Sequence, residues 1–128
     1  MIDSRELLSV DILIAEFEER TVQDLKNMLP KLGHTIVAVV SSGEEAIQKT
    51  VELGPDLVLM DIDLLGALKG VDAGSKIMKD LDVPVIFITV FTKNCLTMSL
   101  QLPEDAITLS KPIKGDHLKY AISNLFNN

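Results

Sequence analysis

Short apolar runs alternate with segments of helical periodicity along the chain. The segment after the first run has apolar residues at helical spacing, namely Val22, Leu25, Met28, Leu29 and Leu32. The apolar runs themselves predict strands, at residues 10–15, 35–40, 57–61, 85–89 and 106–110. Strands that alternate with helices of this size predict parallel strands joined by right-handed crossovers.

Helix boundary signals surround the second predicted helix. Ser42 and Glu45, three residues apart, form a capping box at its start, and Gly54 ends it. Pro30 is expected to distort the last turn of the first helix, and residues 93–102 predict a further helix of mixed apolar and hydroxyl character. The inner face of the second helix is predicted to hold Ala46, Ile47, Thr50 and Val51.

Five strand–helix units predict an α/β fold of the flavodoxin-like, doubly wound type, with a five-stranded parallel sheet in the order 2-1-3-4-5. In this topology the carboxyl ends of strands one, three, four and five surround one crevice. The residues at these strand ends are Glu16, Asp61, Thr89 and Lys111. The crevice is therefore the predicted ligand site.

Composition limits the functional classes. The 128 residues fit one domain, which we expect to span residues 1–128. The net charge of −7 disfavours binding to the phosphate backbone of nucleic acids. No apolar run reaches the length of a membrane span, and the amino-terminal residues lack the pattern of a signal peptide. Cys95 is the single cysteine, so an internal disulfide is excluded, and we expect a cytoplasmic protein.

The side chains predicted at the crevice suit a phosphoryl group. The carboxylate of Asp61 can act as a nucleophile and form an aspartyl phosphate. A divalent cation, most simply Mg²⁺, would neutralise the charge of the carboxylate and the phosphoryl oxygens. Lys111 would pair with one phosphoryl oxygen, and the Thr89 hydroxyl would donate a hydrogen bond to another. Phosphoryl transfer needs mainly positioning and charge stabilisation, so this small set can suffice.

The chain resembles the receiver domains of two-component response regulators. The order and spacing of several segments match together over essentially the whole chain. These segments are Ile-Leu-Ile-Ala-Glu at 12–16, Ser-Ser-Gly-Glu-Glu-Ala-Ile at 41–47, Pro-Asp-Leu-Val-Leu-Met-Asp-Ile at 55–62, Gly-Val-Asp-Ala at 70–73, Pro-Val-Ile-Phe-Ile-Thr at 84–89 and Lys-Pro at 111–112.

This resemblance implies a signalling role rather than an enzymatic one. Asp61 would be the phosphoacceptor, charged by a sensor histidine kinase. Thr89 would be the switch hydroxyl, and Lys111 the cation that senses the phosphoryl group. Mg²⁺ would be held by the side chains of Glu16 and Asp61 and by the backbone carbonyl of Asp63.

Three positions depart from the family pattern, the smallest departure being Lys69, where close relatives often carry an acid. The first strand of receivers usually ends in two adjacent acids, and the second acid binds the metal, but this chain has Phe17 there. Glu18 would fill the place only with an extra residue in the strand, so we assign Glu16 and expect weakened Mg²⁺ binding. The aromatic residue usual in the last strand is replaced by Thr108, and Phe91 is only a loose substitute.

Alternative functions remain open at this stage. A degenerate receiver would keep the fold as a binding module with weak or no metal-dependent phosphorylation. The Asp61-x-Asp63 pair also matches the nucleophile motif of haloacid-dehalogenase-type phosphatases, but that motif usually opens the first strand, not the third. A flavin site is disfavoured because no Ser/Thr-rich phosphate loop follows the first strand.

We expect output through contact with an unknown downstream protein. The candidate contact residues are Leu96, Leu100, Leu102 and Tyr120, and homodimerisation through the same face is possible.

Overall fold

The computed structural model describes residues 9–90, 102–103 and 105–126. Its five strands are β1 (Asp11–Ala15), β2 (Thr35–Val40), β3 (Leu57–Asp61), β4 (Val85–Thr89) and β5 (Ile107–Ser110). Among the described residues, the helices are α1 (Glu19–Lys31), α2 (Gly43–Leu53), α3 (Gly70–Asp80) and α4 (Gly115–Phe126). The helix predicted at residues 93–102 lies outside the described residues except at Leu102, as do Phe91, Leu96 and Leu100.

The strands form one parallel sheet in the order β2-β1-β3-β4-β5, which confirms the predicted fold. Alternate residues of each strand face opposite sides of the sheet. Ile12 and Ile14 pack with residues of α1 and α4, whereas Leu13 packs with residues of α2 and α3. Every residue of β3 and β4 is buried. The central strands therefore pack against helices on both faces, as expected for a parallel sheet.

The signals that limit α2 act as predicted. The hydroxyl of Ser42 accepts a hydrogen bond of 3.1 Å from the backbone N–H of Glu45. The Glu45 carboxylate in turn accepts a hydrogen bond of 3.2 Å from the Ser42 hydroxyl rather than from its backbone. At the other end Gly54 has a φ of 56°, the left-handed conformation that favours glycine at a helix end. The start and end of α2 are therefore fixed locally by sequence.

The predicted inner face of α2 is wrong at one position. Ala46 and Thr50 are buried and Ile47 is partly buried, but the side chain of Val51 is 65% exposed. Residues 46 and 50 lie four positions apart and so share one side of the helix. Val51 lies one position further round and faces solvent. The buried stripe of α2 is narrower than the apolar pattern suggested.

Two glycines of α3 allow this helix to approach the sheet closely. A Cβ atom at Gly70 would overlap the backbone carbonyl oxygen of Asp61, and one at Gly74 would overlap the ring of Phe87. The start of α3 therefore lies directly against the last residue of β3, where the candidate site begins.

Within the described part of the chain, no helix is both long and apolar enough to cross a membrane.

Candidate functional site

The predicted site residues lie at one edge of the sheet. Glu16 follows β1, and its backbone N–H donates a hydrogen bond of 2.9 Å to the carbonyl of Val40, so it continues the register of the strand. Asp61 ends β3 and Thr89 ends β4. Lys111 follows β5, and its backbone N–H donates a hydrogen bond of 2.9 Å to the Thr89 carbonyl. The sheet itself therefore brings these strand ends together.

The ammonium group of Lys111 is the centre of an acidic cluster. Its Nζ lies 3.0 Å from Oδ2 of Asp61, 3.1 Å from Oε1 of Glu16 and 3.5 Å from Oε1 of Glu18. Glu16 and Asp61 are only 2% and 1% exposed. Burial alone would lower the pKa of Lys111, but its hydrogen bonds and attraction to Asp61 and Glu16 outweigh this effect and raise the pKa. Lys111 therefore remains a cation between buried carboxylates.

The environment of Glu16 disfavours a negative charge on its side chain in addition to that of Asp61. Burial and the neighbouring Asp61 raise the pKa of Glu16 from 4.5 to about 7, although hydrogen bonds from the Glu18 backbone and from Lys111 oppose the rise. Its Oε2 accepts hydrogen bonds from the Glu18 N–H at 3.0 Å and from Lys111 at 3.2 Å. Its Oε1 is buried without a hydrogen-bond donor in suitable geometry. The Lys111 ammonium lies 3.1 Å from this oxygen, so its contact there is an ion pair rather than a hydrogen bond.

The other predicted residues lie close to Asp61 along the chain or the sheet. The backbone N–H of Asp63 donates a hydrogen bond of 2.9 Å to Oδ1 of Asp61, while the Asp63 side chain faces solvent. Thr89 is buried, and its hydroxyl lies 3.5 Å from the carbonyl of Val90. The backbone N–H of Ile62 pairs with Ile88 of β4. Both carboxylate oxygens of Asp61 therefore have donors, one from Lys111 and one from the following loop.

The donor set fits a magnesium ion with few protein ligands. The described residues hold no group of three His, Cys, Asp or Glu side chains placed to bind a metal ion. Phe17 is 46% exposed and offers no oxygen. Mg²⁺ usually binds through only one or two carboxylates together with waters and phosphate oxygens. Glu16, whose buried Oε1 has an ion-pair contact but no hydrogen bond, and Asp61 meet this requirement.

Glu18, which directly precedes α1, also contacts the site. In the structure its carboxylate accepts a hydrogen bond of 2.6 Å from the Thr21 hydroxyl and lies 3.5 Å from Lys111. The hydrogen bond from Thr21 and the charge of Lys111 lower the pKa of Glu18. Glu18 therefore adds a third negative charge beside Lys111.

Residues 12–123 match the model of the response regulator receiver domain. The chain is 34% identical over 117 residues to the phyllosphere-induced regulator PhyR of Methylorubrum extorquens. The matched segment covers 91% of this chain and 43% of PhyR. It therefore spans less than half the length of that relative.

Solved structures give the same result. The signal receiver domain of a modulated diguanylate cyclase from Desulfovibrio desulfuricans superposes with a TM-score of 0.81 at 29% identity, over 92% of this chain and 94% of that domain. The anti-anti-sigma factor PhyR from Bartonella quintana superposes with a TM-score of 0.78 at 33% identity, over 94% of this chain and 49% of PhyR.

Proposed function

The chain belongs to the family of response regulator receiver domains, and on that premise we propose that it accepts a phosphoryl group on Asp61 from a histidine kinase. Receiver domains are regulatory rather than catalytic, and they generally bind Mg²⁺ at the phosphorylation site. The observation that carries the proposal is the contact of 3.0 Å between the Lys111 ammonium and the buried carboxylate of Asp61. We propose that residues 1–128 act as a single receiver domain.

The proposed chemistry uses Asp61 as the nucleophile. One carboxylate oxygen of Asp61 attacks the phosphorus of the donor phosphohistidine, and the bond from phosphorus to the imidazole nitrogen breaks. Lys111 then pairs with an oxygen of the transferred group, since its ammonium already lies beside the Asp61 carboxylate. The hydroxyl of Thr89, at the end of the neighbouring strand, donates to another phosphoryl oxygen. The protein thus supplies mainly positioning and positive charge.

Mg²⁺ is the cofactor in this proposal. Glu16, Asp61 and the backbone carbonyl of Asp63 would hold the ion. Once bound, it would offset the negative charge that the carboxylates and the phosphoryl group bring together. Glu16 and Asp61 are both buried beside one ammonium group, so a divalent cation would relieve their repulsion. Because Phe17 replaces the usual second acid, we propose weak Mg²⁺ affinity and slow phosphorylation.

Intact-mass spectrometry after incubation with acetyl phosphate and Mg²⁺ tests this proposal. We expect a single phosphoryl adduct that forms slowly, requires Mg²⁺ and is absent in an Asp61→Asn variant. Asparagine keeps the size of the side chain but is not a nucleophile, so it is a matched control. An adduct that persists in Asp61→Asn would place the phosphoryl group elsewhere. A complete adduct at low Mg²⁺ would contradict the proposed impairment.

A degenerate receiver is the second candidate. Phe17 stands where receivers usually have a metal-binding acid. The Lys111 ammonium already lies within 3.5 Å of three carboxylates, so it supplies positive charge to the site without a metal ion. In that case the chain would be a binding module that acts without regulated phosphorylation. The same mass measurement decides between the two candidates. An adduct that reaches completion with Mg²⁺, however slowly, supports the phosphoacceptor, whereas a trace adduct or none at any Mg²⁺ concentration supports the degenerate receiver.

We propose that output passes through contact with another protein. An open groove of about 680 Å³ lies between β5 and α4, and Thr108 and Tyr120 are among its lining residues. Tyr120 is 69% exposed. The PhyR relative described as an anti-anti-sigma factor supports a protein as the output partner. The same face could join two copies of the chain, and light scattering with and without acetyl phosphate would show whether phosphorylation produces a dimer.

A further inference from the structure

The loop that connects β3 to α3, residues 62–69, is held against the start of α2. We call it the acceptor loop because it follows Asp61 directly. The backbone N–H of Leu65 donates a hydrogen bond of 3.3 Å to the carbonyl of Ser41, and Leu65 pairs with Ser42 as an isolated parallel bridge. The N–H of Asp63 bonds to Asp61. The acceptor loop is therefore attached both to the phosphoacceptor and to the residues that precede α2.

Glu44 of α2 makes a further attachment to the acceptor loop. Its Oε1 accepts a hydrogen bond of 3.2 Å from the backbone N–H of Leu68, which is 24 residues away in sequence. Gly66 has a φ of 95°, and a Cβ atom there would lie 3.1 Å from Oε2 of the same carboxylate. The backbone of the loop therefore lies directly against both carboxylate oxygens of Glu44.

The neighbouring acid of α2 has a different role. Glu45 bonds to the Ser42 hydroxyl and receives no contact from the acceptor loop among the hydrogen bonds of the described residues. Both acids lie in the first turn of α2, where negative charge is favourable for the helix. Glu45 completes the cap of the helix, whereas Glu44 directs its carboxylate to the loop. The two residues form a matched pair that differs in this one contact.

We infer that Glu44 is a positioning residue for the metal site, because it holds the acceptor loop in the conformation in which the backbone of Asp63 lies beside Asp61. This inference rests on the proposed function, in which the Asp63 carbonyl is a Mg²⁺ ligand. The acceptor loop has one end fixed by Asp61 and the other by α3. Glu44 and the Ser41–Ser42 segment restrain its middle. Loss of the Glu44 contact should increase the number of loop conformations, so that Mg²⁺ must order the loop when it binds.

Hydrogen exchange without metal tests the positioning contact itself. Amide exchange is measured by NMR in EDTA for the parent protein and for Glu44→Ala, Glu44→Gln and Glu45→Ala. We expect faster exchange at Leu68 in Glu44→Ala, roughly three- to tenfold, because the amide loses its acceptor. Glu44→Gln retains a carbonyl acceptor and should restore most of the protection. Glu45→Ala should alter exchange at the start of α2 and leave Leu68 unchanged.

Magnesium titration tests the consequence for the site. We expect Glu44→Ala to raise the Kd for Mg²⁺ roughly three- to tenfold, as followed by the amide shifts of Asp61 and Asp63, while Glu44→Gln and Glu45→Ala stay close to the parent. Equal Mg²⁺ affinity or equal Leu68 exchange in Glu44→Ala and the parent overturns the inference and leaves the proposed function intact. If the parent binds no Mg²⁺, the metal role of Glu44 and the proposed Mg²⁺ site fail together, whereas the exchange result still reports whether Glu44 holds the loop.

Discussion

Replacement of Glu16 by glutamine should favour the variant over the parent increasingly as the pH rises from 5 to 8. Glu16 is 2% exposed and lies beside the buried carboxylate of Asp61. Glutamine has nearly the same shape and no charge. Its carbonyl oxygen can still accept the hydrogen bond from the Glu18 N–H, and its amide group can donate to Asp61. The change therefore removes the repulsion between the buried acids and keeps most of the packing.

The magnitude of the effect follows from the pKa of Glu16, which is about 7 in the folded protein, compared with 4.5 for an ordinary glutamate in the unfolded chain. Because the folded pKa is the higher one, the folded protein holds this proton after the unfolded chain has lost it. The stability contributed by Glu16 is complete below about pH 4.5 and is lost as the pH rises through about 7. Each pH unit between the two pKa values corresponds to ~1.4 kcal/mol. Between pH 5 and pH 8 the loss is about 2 to 3 kcal/mol.

The assay is urea unfolding of the parent and Glu16→Gln in EDTA, at several values between pH 5 and pH 8. The free energy of unfolding of the variant, relative to the parent, should rise by about 2 to 3 kcal/mol over this range. Glu18→Gln is the matched control, because the Glu18 carboxylate is half-exposed and its pKa is lowered by Thr21 and Lys111. A Glu16→Gln difference that is constant with pH, or that moves in favour of the parent as the pH rises, would refute the proposed repulsion.

Three further predictions concern other parts of the fold. Gly70→Ala should lower the free energy of unfolding, measured in urea, by about 1–3 kcal/mol, because the added Cβ overlaps the Asp61 carbonyl. The control Gly115→Ala should have a much smaller effect, because its added Cβ meets nothing within 4 Å. Burial lowers the pKa of His34, whose Nδ1 accepts a hydrogen bond from a backbone N–H. Stability from the neutral ring should therefore be complete above about pH 6.5 and be lost as the pH falls below that value toward the lower folded pKa, and His34→Asn should flatten that fall in urea unfolding. Phe17→Asp should tighten Mg²⁺ binding in an NMR titration, and an unchanged Kd would contradict the assignment of Glu16 to the strand end.

The arrangement of strands could be predicted because local sequence determines it. Residues 57–60 are apolar without alternation, as is typical of a strand buried on both faces, and Asp61 marks its end. The strand order was the common one for a flavodoxin-like sheet, and it places Glu16 and Lys111 at the same edge although they are 95 residues apart. The position of the candidate site was thus predictable, whereas the roles of its residues stay predictions.

The features that were missed depend on packing between distant segments. Val51 fits the apolar pattern of α2, but only the tertiary structure determines how wide a stripe is covered. Glu44 and Leu68 are 24 residues apart, and nothing in either local sequence indicates their hydrogen bond. The raised pKa of Glu16 likewise arises from burial and from the approach of Asp61, which the sequence does not contain. The family pattern identified Glu16 and Asp61 as site residues, but it did not show that both contact the Lys111 ammonium.

Localisation of the phosphoryl group tests the central claim most directly. The parent protein is incubated with acetyl phosphate and Mg²⁺, and borohydride then reduces the acyl phosphate to the alcohol, which marks the modified residue permanently. Peptide mass spectrometry should find homoserine at position 61, only when both Mg²⁺ and acetyl phosphate were present. Reduction at another aspartate or glutamate, or no reduced residue at any Mg²⁺ concentration, would contradict the account of Asp61 as the phosphoacceptor.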